Sequence, residues 1–269
     1  MRNILTIAGS DPSGGAGIQA DLKTMCALGV YGMSVITAVT AQNTQAVYGV
    51  QEISADMVAG QIEAVFSDIG VDAVKVGMVS SADIIRAIKA GLTEFKAPNI
   101  VIDPVMVSKS GFALLREDAV AAVRELVGIA DVATPNIPEA EILAGHQITT
   151  RAEIEDAARR IVELGSKSVL IKGGHRFGAD AEDLLYCDGE FLRFPAKRIA
   201  TKNTHGTGCT LSAAIASRLG LGDSVPQAVA VSKAYITQAI LDSYDLGHGA
   251  GPVGHLAALY RQAGMEVAE

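Results

Sequence analysis

Residues 3–28 read NILTIAGSDPSGGAGIQADLKTMCAL, and this stretch indicates the class of fold. Its first part, Asn3–Ala8, is rich in leucine and β-branched side chains, which predicts a short strand. A glycine-rich turn follows. From there Gly15–Leu28 carries apolar residues at helical spacing, so we expect a helix. A strand, a tight turn and a helix in this order begin a βαβ unit.

The same alternation of strands and helices continues along most of the chain. Further strands are expected at Ser34–Thr40, Asp72–Val76, Asn99–Ile102, Asp131–Ala133 and Ser168–Ile171. Further helices are expected at Asp56–Phe66, Ala82–Leu92, Glu117–Val127, Arg151–Leu164, Thr207–Leu219 and Pro226–Leu241. Strands separated by helices of about 10 to 15 residues indicate an α/β fold with a mostly parallel sheet and helices on both faces.

Two segments depart from this alternation. Asn43–Ile53 reads as extended chain and is expected to form a small flap. Glu182–Phe194 has an Asp-Gly turn between two strand-like runs, which predicts a hairpin. The chain shows no Pro/Ser-rich linker, composition break or internal repeat, so residues 1–269 are expected to form a single domain.

The composition excludes several functional classes. The 22 basic and 30 acidic residues give a net charge of −8, and the chain has no Trp, 6 Tyr and 6 Phe. An acidic chain with few aromatic residues and no long basic run is not expected to bind nucleic acid. Without a long apolar run or a signal peptide, it is expected in the cytoplasm and not in a membrane. The three cysteines include no CxxC pair, which disfavours a zinc ribbon or a disulfide scaffold.

The glycine-rich turn GSDPSGGAGIQAD (9–21) is the first candidate site. Residues 15–20 match the GxGxx(G/A) dinucleotide fingerprint. A nicotinamide-binding site also needs an acidic residue after the second strand, and residues 35–40 (VITAVT) contain none. A nicotinamide oxidoreductase is therefore disfavoured. We expect instead a turn that lets a small ligand approach the backbone, with a purely structural turn as the alternative.

The second candidate is NTHGTGCTLSAAIASRL (203–219), in which Gly206–Cys209 opens a predicted helix. The first amides of a helix have no internal partner, and with the helix dipole they attract anions such as phosphate. The same field is expected to lower the pKa of the Cys209 thiol, which would suit a base or a nucleophile. A buried structural cysteine is the alternative. His205 is interpreted as a structural neighbour of this loop.

Polar residues after other predicted strands give two weaker candidates. Lys172, in KGGH (172–175), lies where open α/β sheets bind ligands and is a candidate phosphate contact. An exposed lysine on a turn is the alternative. Asp103, Asn136 and Glu139 are candidates to hold Mg²⁺ through water, although spacing alone favours helix-cap or turn roles. No Walker A motif is present, which excludes a P-loop kinase.

Taken together, these segments resemble the hydroxymethylpyrimidine/phosphomethylpyrimidine kinase family of thiamine biosynthesis, within the ribokinase-like superfamily. The matching stretches, in the family's order, are TIAGSDPSGGAGIQADLKT (6–24), AQNT (41–44), DPVMVSKSG (103–111), TPNIPEAE (134–141), KGGH (172–175), TKNTHGTGCTLSAAIA (201–216) and GHGAGP (247–252). The first and sixth stretches are long and specific, and the seven together span nearly the whole chain.

This resemblance implies a ribokinase-like three-layer αβα sandwich with a mostly parallel central sheet and a small β flap. It implies an enzyme that uses ATP and Mg²⁺ to phosphorylate 4-amino-5-hydroxymethyl-2-methylpyrimidine, and then the monophosphate to the pyrophosphate. It also implies a homodimer. A vitamin B6 kinase acting on pyridoxal or pyridoxine is the alternative, because those rings also carry a hydroxymethyl group. A non-catalytic metabolite-binding protein is a third class, and the intact GTGC turn and Lys172 disfavour it.

The resemblance also assigns roles to individual residues. Gln42 is expected to hydrogen-bond the pyrimidine, since an amide can both donate to and accept from an aminopyrimidine edge. The residues expected to line or support that pocket are Gly9, Asp11, Ala16, Asp21, Met78 and Val105. The residues expected to form the anion hole are Gly206, Thr207, Gly208 and Cys209, with Cys209 in the place of the aspartate base of sugar kinases. Lys172, Asp103 and Thr204 are expected near ATP, and Asn136 with Glu139 near Mg²⁺.

Overall fold

The structure is a computed structural model that describes residues 1–106, 119–173 and 181–265. Three segments named in the sequence analysis lie partly outside these residues. The helix predicted at Glu117–Val127 begins outside the described residues. The second half of KGGH (172–175) and the end of DPVMVSKSG (103–111) also lie outside them.

Within the described residues, nine strands form one sheet in the order β3-β2-β1-β4-β5-β6-β7-β8-β9. The strands are β1 Asn3–Ser10, β2 Tyr31–Gln42, β3 Val47–Glu52, β4 Ala73–Val76, β5 Ile100–Ile102, β6 Val132–Ala133, β7 Ser168–Ile171, β8 Asp183–Cys187 and β9 Glu190–Phe194. The six neighbours from β2 to β7 pair in parallel. β3 at one edge, and β8 and β9 at the other, pair antiparallel. The predicted mostly parallel sheet is therefore confirmed.

Helices cover both faces of the sheet. They are α1 Gly17–Ala27, α2 Ala55–Asp68, α3 Ala82–Glu94, α4 Val120–Val127, α5 Ile137–Ala144, α6 Arg151–Glu163, α7 Thr207–Gly220, α8 Val225–Leu241 and α9 Ala257–Gln262. The helices from α2 to α6 pack on one face, and α1, α7 and α8 pack on the other. Because side chains alternate along a strand, Leu5 and Ile7 enter the first core while Ile4 enters the second. This is the expected three-layer αβα arrangement.

The predicted flap and hairpin both occur as antiparallel strands. The core of Asn43–Ile53 is β3, which pairs with the end of β2. The hairpin of β8 and β9 turns at Asp188 and Gly189, whose φ angles of 52° and 81° match the turn that an Asp-Gly pair favours.

Two helices were missed by the sequence analysis, and one begins later than predicted. α5 and α9 were not predicted. α5 was missed because the two prolines of PNIPE suggest a turn. One of them lies in the first turn of the helix, where proline is tolerated. α1 begins at Gly17 and not at Gly15, because the Asp11 carboxylate accepts the backbone N–H of Ser13 (2.9 Å) and of Ala16 (2.8 Å) and holds these residues in a turn.

No helix among the described residues is both long enough and apolar enough to span a membrane.

Candidate active site

The glycine-rich turn after β1 and the start of α7 lie in direct contact. Gly206 has a φ of 77°, and a Cβ atom there would lie 1.8 Å from the carbonyl oxygen of Gly15. Gly17 has a φ of 56°, and a Cβ there would lie 2.4 Å from the carbonyl oxygen of Gly9. Both positions therefore need glycine for backbone angle and for space. The two motifs that the sequence presents as separate candidates therefore pack against each other.

Asp103, Lys172 and Gly208 meet at the carboxyl ends of β5 and β7. The Lys172 ammonium donates to Asp103 Oδ1 at 2.6 Å, and Asp103 is buried. A Cβ on Gly208 would lie 3.4 Å from Asp103 Oδ2 and 3.6 Å from Lys172 Nζ. The first turn of α7 thus lies against a buried ion pair. The Lys172 side chain is only 17% exposed, so the alternative of an exposed turn lysine is wrong.

The charge on Lys172 is fixed by its neighbours. Burial alone would lower the pKa of Lys172, but the carboxylates of Asp103 and Glu139 outweigh it and the pKa is raised. The side chain therefore keeps its positive charge at neutral pH. A fixed cation beside the N-terminus of a helix is well suited to bind a phosphate group.

Asn136 and Glu139 form the N-terminal cap of α5. Asn136 Oδ1 accepts the Glu139 N–H at 2.9 Å, and Glu139 Oε2 accepts the Asn136 N–H at 2.8 Å. This is the cap role that spacing favours. Glu139 is buried, which raises its pKa to about 7 against the opposing charge of Lys172. The Asn136 side chain is committed to the cap, whereas Glu139 and Asp103 both act on the charge of Lys172.

The thiol of Cys209 differs from the sequence prediction. It lies in the first turn of α7 and accepts the backbone N–H of Gly17. Although part of the residue is accessible, its thiol is surrounded by protein. This burial raises the pKa of Cys209 to about 11, and it outweighs the opposing effects of Lys75 and the Gly17 amide. The predicted lowering of the thiol pKa is therefore wrong, and Cys209 is protonated at neutral pH.

A buried ion pair lies close to Cys209. Lys75 Nζ donates to Asp21 Oδ2 at 2.7 Å, both side chains are fully buried, and Thr6 Oγ1 donates to the same oxygen at 2.6 Å. Asp21, expected to line or support the pocket, is fully buried, so it can support neighbouring residues but does not face a ligand directly. Lys75 was missed by the sequence analysis. Its signal was a single charge within AVKV (73–76), a strand buried on both faces.

The residues expected to form the ring pocket are brought together in two groups. Gly9 faces Met78, whose Sδ would lie 3.1 Å from a Cβ on Gly9. Asp11, Ala16 and Gln42 form the second group. Ala16 donates its N–H to Asp11, and Asp11 and Gln42 both contact the ring of His205, which the sequence analysis treated only as a structural neighbour.

The two remaining predicted residues follow Asp103 and precede α7, respectively. Val105 is half-buried and donates its N–H to the carbonyl oxygen of Asp103 at 2.8 Å. Thr204 lies just before α7, and its carbonyl oxygen accepts the N–H of Thr207 at 3.5 Å.

His255 contacts the first turns of α7. The residue is buried, and its Nε2 lies 2.9 Å from Thr210 Oγ1, which itself donates to the carbonyl oxygen of Gly206. Burial lowers the pKa of His255 from 6.5 to about 4, so the ring is neutral in the folded protein.

We expect His255 to make the fold sensitive to acid. The unfolded chain protonates this histidine near pH 6.5 but the folded chain only near pH 4, so its contribution is complete above pH 6.5 and is lost as the pH falls between these values. The free energy of unfolding should fall by about 3 kcal/mol over this range from His255 alone. Urea unfolding at pH 7 and pH 4 should show this fall in the wild type and a smaller one in His255→Gln. Equal falls in both proteins would contradict the assignment.

Comparison with known proteins identifies the family. The sequence model of the family described as phosphomethylpyrimidine kinase matches residues 11–254. A hydroxymethylpyrimidine/phosphomethylpyrimidine kinase from Rhizobium meliloti is 53% identical over 255 residues, which cover 93% of this chain and 96% of that protein. The thiamine biosynthesis bifunctional protein ThiED of Geobacter sulfurreducens is 51% identical over 95% of this chain, which spans about half (52%) of that protein's length.

A solved structure with the same fold is the ADP complex of pyridoxal kinase from Bacillus subtilis. It has a TM-score of 0.90 and 40% identity, and the match covers 96% of this chain and 99% of that one. This structural match agrees with the three-layer fold described above, and the sequence matches identify the family. The chain belongs to the phosphomethylpyrimidine kinase family.

Proposed function

We propose that this chain transfers the terminal phosphoryl group of ATP to the hydroxymethyl group of 4-amino-5-hydroxymethyl-2-methylpyrimidine, and then transfers a second one to the resulting monophosphate. The single observation that supports this best is the meeting of Lys172, Asp103 and the first turn of α7. Phosphoryl transfer depends on positioning and on charge stabilisation, and this arrangement supplies both. The name of the Rhizobium meliloti relative at 53% identity supports the pyrimidine as acceptor.

ATP is proposed to bind with its phosphates between Lys172 and the first amides of α7. The ADP complex of the Bacillus subtilis relative supports a nucleotide at this fold. Gly208 leaves room for the phosphoryl group beside Lys172, and the backbone N–H groups of α7 donate to its oxygens as charge moves during transfer. Thr204, just before the helix, is proposed to contact the nucleotide.

Asp103 and Glu139 fit a Mg²⁺ ion that travels with the phosphates of ATP. Within the described residues no three His, Cys, Asp or Glu side chains cluster as a metal site. Mg²⁺ does not need such a cluster, because it commonly uses one or two carboxylates together with waters and substrate phosphates. Bound there, the ion would neutralise phosphate charge. Asn136 is proposed to hold Glu139 in place through the cap of α5.

The acceptor ring is proposed to lie between Gln42 and Met78, with its hydroxymethyl group toward Cys209. In the first transfer the acceptor hydroxyl must lose a proton, and Cys209 is the proposed acceptor of that proton in its thiolate form. Because the pKa of the thiol is about 11, this form is scarce at neutral pH. The first transfer should therefore accelerate as the pH rises. The second acceptor is already an anion and needs no base.

We expect Cys209→Ala to separate the two transfers. The variant should lose at least about tenfold in the first transfer and should lose its acceleration between pH 7 and 10, while the second transfer changes little. The two rates are measured with the pyrimidine alcohol and with its monophosphate as acceptors. Cys26→Ala, which removes an exposed thiol in α1, is the control. Equal losses in both transfers would contradict the role of Cys209 as a base.

The function itself is tested by measuring ATP-dependent turnover of three acceptors. We expect the pyrimidine alcohol and its monophosphate to be phosphorylated with higher kcat/KM than pyridoxal. Use of the monophosphate as an acceptor is the deciding result, because pyridoxal kinase chemistry does not require it. Turnover of pyridoxal alone would favour the vitamin B6 alternative, and no turnover of any acceptor would favour a binding protein.

Residues 1–269 are proposed to act as one catalytic domain that forms a homodimer. The continuous sheet from β3 to β9 supports the single domain. Exposed apolar side chains near the β3 edge, Val39, Tyr48 and Met57, support a contact between two copies there. Light scattering should give twice the chain mass of 27.8 kDa, and Tyr48→Lys should weaken the association. A monomer at micromolar concentration would contradict this proposal.

A further inference from the structure

His205 joins three segments of the chain at one corner of the proposed ring pocket. Its Nε2 lies 2.8 Å from Asp11 Oδ2 and 3.4 Å from Gln42 Nε2, and its backbone N–H donates to the carbonyl oxygen of Gly251 at 3.0 Å. The side chain is 12% exposed, and that of Asp11 is 3% exposed. The glycine at position 15 makes room for the ring, since a Cβ there would lie 2.4 Å from His205 Cδ2.

The polarity of these contacts determines which way the Gln42 amide can face. A carboxylate accepts hydrogen bonds, so the contact with Asp11 requires a hydrogen on His205 Nε2. That nitrogen then has no lone pair left for the Gln42 amino group. On the other side, Thr40 Oγ1 lies 3.5 Å from Gln42 Oε1, but its one hydrogen is already donated to the carbonyl oxygen of Ser10 at 2.8 Å. Thr40 can therefore accept a hydrogen bond from the Gln42 amide and has no hydrogen left to donate to it.

Both contacts are favourable when the carbonyl oxygen of the Gln42 amide faces His205, where it shares the Nε2 hydrogen with Asp11, and the amino group faces Thr40. With the opposite orientation, a donor would face a donor at His205 and an acceptor would face an acceptor at Thr40. His205, held by Asp11, therefore discriminates between the two orientations. The contact with His205 uses one lone pair of the Gln42 carbonyl oxygen, and the contact with Thr40 uses one hydrogen of its amino group. The amide therefore still offers one acceptor and one donor, in a fixed order, to a bound ring.

With the hydroxymethyl group toward Cys209, as proposed above, the ring position beside it lies at the His205 end of the amide, because His205 directly precedes the N-cap of α7 and Cys209 lies in the first turn of that helix. In that placement the order matches one of the two rings under consideration. Beside its hydroxymethyl group the pyrimidine carries an amino group, which donates, followed by a ring nitrogen, which accepts. Pyridoxal carries an aldehyde oxygen at the first position, which only accepts, followed by a hydroxyl group. An amide free to turn over could serve either ring, whereas an amide held in one orientation pairs well with only one of them.

We propose that His205 is a positioning residue for ring selection: it holds the Gln42 amide with its carbonyl oxygen toward His205 and its amino group toward Thr40, and this fixed order favours the aminopyrimidine over pyridoxal. The inference rests on the proposed function for the identity of the ring. The orientation of the amide rests only on the contacts of His205, Asp11, Gln42 and Thr40.

The amide orientation is tested by NMR on the wild-type protein without substrate. The ¹⁵N shifts of the His205 ring should show a hydrogen on Nε2, and the Gln42 side-chain amide should give one sharp pair of proton signals. In His205→Leu this pair should broaden or shift, whereas His248→Leu, which alters an exposed histidine, should leave it unchanged. An unprotonated Nε2 would overturn the inference, because the Gln42 amino group would then donate to it.

Ring selection is tested by the ratio of kcat/KM for the pyrimidine alcohol to that for pyridoxal. In His205→Leu this ratio should fall about tenfold, the value of one well-placed hydrogen bond, while the KM for ATP stays the same. His205→Gln can still donate to Asp11 and should keep most of the ratio. Equal losses on both rings would show a structural role only and overturn the inference. A wild type that does not phosphorylate the pyrimidine would refute the proposed function, and the NMR result would still decide the amide orientation.

Discussion

Lys172→Met is expected to lower kcat/KM for ATP by about a hundred- to a thousandfold, the range seen when one charge-stabilising donor is removed from an active site. Lys172 is the buried cation of the site, 2.6 Å from Asp103 and beside the first turn of α7. Methionine keeps the length of the side chain but cannot bind phosphate. Steady-state kinetics with ATP varied at a saturating concentration of the pyrimidine alcohol measure the loss.

This substitution also leaves Asp103 as a buried charge without its strongest partner, so the free energy of unfolding should fall by about 3 kcal/mol. Assays are therefore run well below the Tm of the variant. ATP should raise the Tm of the wild type but not that of Lys172→Met. Lys202→Met is the matched control, because Lys202 is 60% exposed and its ion pair with Asp245 lies at the surface. If Lys172→Met keeps near-normal KM and kcat, phosphate binding is wrongly placed.

The parts of the fold that the sequence predicted correctly are those that depend on local pattern. Apolar periodicity located the strands of the parallel sheet and most helices, and the Asp-Gly pair located the hairpin turn at Asp188. Each of these signals lies within about ten residues of the structure that it specifies, so it can be interpreted without knowing the rest of the fold.

The features that the sequence did not predict depend on groups far apart in the chain. Lys75 and Asp21 are 54 residues apart, and their pairing becomes visible only when β4 and α1 are placed together. His205 and Asp11 are separated by 194 residues. The pKa of Cys209 was predicted in the wrong direction because the helix field was considered without the burial that opposes it. A helix N-terminus favours a thiolate only where the thiol is not also removed from water.

Gly206→Ala is expected to lower kcat/KM by about a hundredfold and to reduce the Tm by several degrees. The added Cβ would lie 1.8 Å from the carbonyl oxygen of Gly15, and the φ of 77° is itself strained for alanine. The clash is with backbone, so it can be relieved only by moving the first turn of α7 away from the glycine-rich turn. A shift of about 1 Å in groups that position a reacting phosphoryl group is enough for a loss of this size.

Two further glycine substitutions distinguish the effect of backbone strain from the effect of filling the space proposed for the phosphoryl group. Gly60→Ala in α2 adds a Cβ that meets nothing within 4 Å, so activity should be unchanged and stability equal or up to about 1 kcal/mol higher. Gly208→Ala also has room for its Cβ, at 3.4 Å from Asp103 Oδ2, and should fold normally. Its methyl group, however, lies where the phosphoryl group is proposed to bind, so activity should fall with little change in Tm. If Gly208→Ala is fully active and Gly206→Ala loses only stability, the start of α7 is structural and the phosphates bind elsewhere.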